Sequence, residues 1–163
     1  MTPDPTPSAV EGTARIVVGV DGSIGSGVAL RWAITQAHAT SVGVEVIASW
    51  EDPMQSSYSL GWMPIMPDSE DWAAITQTYL DQEVAQVVAE LGSPEVLTAR
   101  AVHGHPAQVL LEAAAHACLL VVGSRGHGTL VGALLGSVSQ HCIQHSPCPV
   151  VVVPVTSAAP LSR

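Results

Sequence analysis

The residues best suited to chemistry lie in one glycine-rich stretch, Gly123-Ser124-Arg125-Gly126-His127-Gly128, with nine residues between Gly126 and a following Gly136-Ser137-Val138-Ser139 at the head of a short helix. Glycine lets backbone amides approach an anion closely. A first helical turn offers N–H groups without intrahelical partners at the positive end of the helix dipole. Ser137 and Ser139 add hydroxyl donors, and Arg125 is the only cation of the segment. The pattern describes a cradle for a polyphosphate built without lysine. A glycine-rich turn chosen only for tight packing has the same spacing, so spacing alone leaves both readings open. A second loop, Val20-Asp21-Gly22-Ser23, ends another apolar run and sets a carboxylate at a strand end.

Composition restricts what such loops can serve. The 163 residues are 47% hydrophobic and only 12% charged, which suits one folded domain rather than a disordered chain. Five arginines (Arg15, Arg31, Arg100, Arg125, Arg163) are the only strong cations, lysine is absent, and the net charge is −9. A phosphate-loop lysine and a Schiff base are thereby excluded, and no basic face exists to bind nucleic acid or anionic membrane. Cys118, Cys142 and Cys148 form no Cys-x-x-Cys pair, so neither a disulfide framework nor a zinc knuckle is indicated. No apolar run reaches the roughly 18 residues of a membrane span, and the proline-rich, acidic beginning does not resemble a signal peptide. A cytoplasmic protein is expected.

The elements that must position the loops alternate. Arg15 to Val20, Val42 to Trp50, Glu95 to Val102, Leu119 to Val122 and Val150 to Val153 read as strands. The first and fourth are continuously apolar, as in a parallel sheet covered on both faces. Helices are expected over Gly27 to Ala39, from Ser69 to Leu91, from Pro106 to Ala117 and over Gly136 to His145. The second carries an apolar stripe at Leu80, Val84, Val87 and Leu91. The order βαβαβαβαβ predicts an α/β fold: a doubly wound five-stranded parallel sheet of order 3-2-1-4-5 with helices on both faces. Ligands bind such sheets beyond the carboxyl ends of the strands, where the winding reverses, and both chemical loops then flank that point. Residues 14 to 154 form the domain, between expected flexible tails at 1–13 and 155–163. The segment from Glu51 to Asp71, with Met54, Tyr58, Trp62, Met63, Ile65 and Met66, reads as a lid over the domain's own surface, or else as a partner surface or a segment that closes over the ligand.

Other constellations fare worse. Gly22, Gly25 and Gly27 lack dinucleotide-binding spacing, and Asp21 stands where a pyrophosphate would approach. The seven histidines, His103, His105 and His127 among them, come with no carboxylate or cysteine pattern that would complete a zinc site. Ser23, Ser124 and Ser137 lack a nucleophile elbow. Asp21 and His127 could assist water near a terminal phosphate, but one arginine neutralises transition-state charge poorly, so a binding protein is favoured over an enzyme.

GVDGS after the first strand, the Gly-x-x-Gly spacing with GSVS beyond it, and the ending CPVVVV together resemble the universal stress protein family; ALRWA and LLVVGSRGHG are most similar to its actinobacterial members. The resemblance spans about residues 14 to 154, and the long glycine motif marks the members that bind ATP. It implies an adenine nucleotide alpha hydrolase-like fold. Asp21, between Val20 and Gly22, would stand near the ribose or a metal, and Val46 to Ala48 against adenine. Gly123, Arg125, Gly126, Gly128, Gly136, Ser137, Val138 and Ser139 would surround ribose and phosphates. ATP, with Mg2+ or Mn2+ to offset its charge, is the expected ligand, and a regulatory or sensor role in stress response with an unknown downstream protein is the expected function. Slow ATP hydrolysis and an interaction module without turnover are the alternatives. Cys118 departs from the family's usual acidic residue. Pro149-Val-Val-Val-Val reads as an edge strand, and pairing it with its copy in a homodimer would cover the exposed backbone.

Overall fold

The structure, a computed structural model, describes residues 14–51, 69–127 and 135–155. Gly128, the six apolar residues of the long irregular segment and nearly all of both expected tails lie outside them. The elements are β1 (Arg15–Gly19), α1 (Ile24–Thr40), β2 (Gly43–Trp50), α2 (Ser69–Leu91), β3 (Leu97–His103), α3 (Pro106–Ala114), β4 (Leu119–Gly123), α4 (Ser137–His145) and β5 (Val150–Val153). All strand pairings are parallel, in the order β3-β2-β1-β4-β5. The expected doubly wound sheet is therefore the one found.

The apolar interiors of β1 and β4 are buried on both faces, as their unbroken runs require. On one face α1 and α2 pack Leu30, Ile34, Leu80, Val84 and Val87 against Ile16, Val18, Val44, Val46 and Val121. On the other, α3 and α4 pack Val109, Leu110, Ala113 and Cys142 against Val17, Ile47, Leu120 and Val122. Burial alone pushes the Cys142 thiol up to about 11, so it acts as a small apolar side chain. Below Ile47 on the α3 face, the buried Glu45 carboxylate lies between Arg15 Nε at 2.8 Å and Arg100 Nε at 2.7 Å. Arg31 pairs with Glu90 across α1 and α2 at 2.9 Å. Among the described residues Arg125 makes no ion pair.

Several boundaries differ from the sequence expectation. Helix α1 begins at Ile24 rather than Gly27, because Ser23 is its N-cap and accepts from Ser26 N at 3.2 Å. Its buried ridge is Ala29, Leu30, Ala33, Ile34 and Ala37, whereas Ala39 is exposed. Leu91, the last residue of the α2 stripe, is 40% exposed at the helix end. Strand β3 starts two residues later than expected, at Leu97, and α3 closes at Ala114, where Ala115 N turns back onto Glu112 O.

Candidate functional site

Beyond the carboxyl ends of β1 and β4, where the winding reverses, the structure opens a cleft of about 590 Å³. Its floor is Gly19, Val20 and Asp21 from the end of β1. On the β2 side stand Ile47 and Ser49, with Pro106 and Leu110 from α3. On the β4 side stand Gly123, Arg125, Gly126 and His127, then Leu135 to Gln140 around the start of α4. One wall is thus largely apolar, and the other carries backbone donors and the single guanidinium.

Three helices begin at this cleft: α3 opens with Pro106, which has no N–H to offer, while α1 and α4 are capped differently. At α1, Ser23 accepts from Ser26 N, and Ser26 Oγ returns a bond to Ser23 O at 2.9 Å, so the helix satisfies its own first turn. At α4 the N-cap is Gly136, which supplies no side-chain bond, and no acidic residue lies in the first turn. The first-turn amides of Ser137, Val138 and Ser139 have no intrahelical acceptors and lie in the cleft wall. A helix end of this kind suits an anion, and Arg125 is exposed in the same wall.

Asp21 ties the two strand-end loops together. Its Oδ1 accepts from Ser23 N at 3.0 Å and from Ser23 Oγ at 2.5 Å, and its Oδ2 accepts from His127 N at 3.0 Å. Partial burial works against the charged form, but the bonds from Ser23 and His127 outweigh it and hold the carboxyl below its ordinary range. Glu83 of α2 feels the opposite balance: burial first, and then the negative charge of Asp21, raise it above the usual carboxylate range.

Two glycines of this site are required by packing. A Cβ on Gly126 would overlap Asp21 Oδ2, and one on Gly123 would lie 2.7 Å from the Gly25 carbonyl carbon in the first turn of α1. Tight packing therefore accounts for Gly123 and Gly126, and both line the cleft. Ser139 takes a different place from the one expected of a ligand donor. It is buried, and its hydroxyl donates to Gly123 O at 2.6 Å, while Gly136 N donates to Ser124 O at 2.8 Å. These bonds hang α4 from the end of β4, so Ser139 fixes the cradle through its side chain and offers the cleft its amide.

Of the sequence-derived site residues, the structure gathers Val20, Asp21, Gly123, Arg125, Gly126, Gly136, Ser137, Val138 and Ser139 around one cleft. Gly22 lies in the turn at φ 77°, outside the lining. Val46 and Ala48 are not brought to it: both pack in the core with α1 and α2, and strand alternation turns their neighbours Ile47 and Ser49 toward the cleft instead. Gly128 lies outside the described residues. Sequence reasoning missed Gly19, Ser26, Pro106 and Leu110; a helix opening with Pro106 near the switch point was the available signal.

Comparison with known proteins agrees with this geometry. The sequence profile of the universal stress protein family matches residues 12–154. The universal stress protein Rv2623 of Mycobacterium tuberculosis is 35% identical over 142 residues, covering 85% of this chain and 44% of its own length. The chain thus spans about half the length of the curated relatives it matches. Among solved structures, a universal stress protein in complex with cAMP superposes with a TM-score of 0.62 at 26% identity, covering 88% of this chain and 98% of its own. One from Archaeoglobus fulgidus in complex with dAMP shares the fold, with a TM-score of 0.62 at 22% identity over 86% and 97% of the two chains. The sheet order, the paired strand-end loops and a profile match from end to end of the domain together place this chain in the universal stress protein family.

Proposed function

We propose that the chain binds an adenine nucleotide, ATP, in the cleft between β1 and β4 and acts as a nucleotide-dependent regulatory or sensor protein in stress response. The observation that carries this reading is the uncapped start of α4, facing the cleft beside Arg125, the one described arginine without a carboxylate partner. Phosphates occupy that end, where first-turn amides and a guanidinium supply charge-assisted bonds. The base lies against Ile47, Pro106 and Leu110, a wall of apolar area suited to a purine face. The cAMP and dAMP complexes of the two structural relatives support an adenine nucleotide.

The residues present suit an accompanying Mg2+ or Mn2+ only in part. Asp21 is the carboxylate at the cleft, and its oxygens already hold Ser23 and His127. The ion would take most of its ligands from phosphate and water, with Asp21 beside it, and would offset the charge of a triphosphate near a chain of net charge −9. The same engagement keeps Asp21 from acting as a mobile base, so the reading is a binding protein with slow turnover at most.

A homodimer through β5 belongs to this proposal. Pro149 O and Val153 O accept from β4, so by alternation the backbone groups of Val150 and Val152 face the open edge of the sheet. Light scattering should give about twice 16.8 kDa, and Val152→Pro, which removes an outward N–H, should lower it; a wild-type monomer refutes the pairing. For the ligand, protein purified without added nucleotide is denatured and the released small molecules are identified by mass spectrometry, alongside calorimetry with ATP, GTP and AMP. An adenine nucleotide in the released fraction and preferential binding of ATP are expected. Absence of binding by every adenine nucleotide overturns the proposal.

A further inference from the structure

Away from the cleft, a groove of about 580 Å³ between α3 and α4 is lined by His105, Gln108, Glu112, His141 and His145. His141 and His145 are both exposed and stand one turn apart, on the same face of α4. Their rings are stacked with centroids 4.3 Å apart. His145 Nδ1 lies 3.0 Å from His141 O, and a carbonyl can only accept, so Nδ1 carries the hydrogen and the lone pair is at Nε2. A backbone bond that fixes the tautomer in this way is how metal-ligating histidines are commonly oriented. We propose that His141 and His145 form a two-point chelate for a late first-row divalent cation such as Ni2+, Cu2+ or Zn2+.

The chemistry fits that class of ion and no harder one. Two imidazole nitrogens bind borderline-soft cations, whereas Mg2+ and Mn2+ prefer carboxylate, phosphate and water. With metal–nitrogen distances of roughly 2.0–2.1 Å, adjacent ligand nitrogens stand about 3 Å apart; the His141 ring would turn to meet that spacing while His145 keeps its backbone bond. The cation would sit on the last turn of α4, whose carbonyls carry the negative end of the dipole, with the Glu112 carboxylate lining the same groove. Among the described residues no three His, Cys, Asp or Glu side chains are grouped to enclose a metal, so water completes the coordination and the site is open.

The test uses the full chain without an affinity tag. Titration with Ni2+ should show one equivalent bound, undiminished by excess Mg2+ and independent of nucleotide. His141→Ala and His145→Ala should each weaken it by about tenfold or more, and His116→Ala should leave it unchanged. Because either variant could disturb α4, amide signals of the wild-type protein are followed as Ni2+ is added; broadening should begin at residues 141–145 and at Glu112. Binding retained by the double variant, broadening centred elsewhere, or no binding of Ni2+, Cu2+ or Zn2+ overturns the proposal.

Discussion

Replacing Ser139 with alanine separates two roles that the sequence could not. Ser139 is 4% exposed and donates to Gly123 O at 2.6 Å, the side-chain link between the first turn of α4 and the end of β4. The substitution deletes the donor and leaves the carbonyl of a half-buried residue short of a partner, a loss of about 1–2 kcal/mol. In a domain of this size each kcal/mol lowers the melting temperature by roughly 2–4 °C, so a fall of about 2–8 °C is expected in a calorimetric scan of the nucleotide-free protein. Nucleotide affinity should fall as well, because the cradle amides move with α4, but ATP and AMP should lose similar factors. A variant with unchanged melting temperature and a loss confined to ATP would refute this reasoning, since it would make the hydroxyl a phosphate donor rather than a tie between elements.

Arg125→Ala should weaken ATP more than AMP, by about 1.5–3 kcal/mol in calorimetry, because the arginine has no carboxylate partner among the described residues and lines the cleft wall proposed to hold the phosphates; equal losses would place it elsewhere. Gly126→Val should abolish nucleotide binding while the sheet stays folded by circular dichroism, since any Cβ there overlaps the Asp21 carboxylate, and wild-type affinity in that variant would contradict the loop geometry. Asp21 is held below its ordinary range in the folded state, so its loop contacts contribute fully above the unfolded value of about 4 and fade as pH falls through the lower folded value. Hydrogen exchange at the His127 amide should accordingly show, after correction for intrinsic rates, constant protection from pH 8 to 5 and a loss only below about pH 4; a loss near neutrality would rule out Asp21 as its acceptor.

Local chemistry made much of this protein readable before any coordinates. The β-branched runs ending at Asp21, Gly123 and Val153, and the proline and glycine punctuation between them, fix an alternating chain because strand and helix periods are short-range properties. The five-strand order followed from handedness and the small number of compact windings, and the glycines before a helix start marked one wall of the cleft. Other features depend on residues far apart in sequence. Val46 and Ala48 lie among equally apolar neighbours, so no pattern within β2 tells which side meets the cleft; pairing between β1 and β3 sets that phase and presents Ile47 and Ser49. Glu45 reads as an ordinary charged residue until Arg15 and Arg100 arrive from the neighbouring strands. The Ser139 proton goes to Gly123 because α4 packs back on the end of β4, and Asp21 reaches the His127 amide 106 residues away because the winding of the sheet brings the ends of β1 and β4 to one point. A hydrogen bond needs its partners within about 3 Å, and for groups so distant along the chain only the packed sheet supplies that closeness.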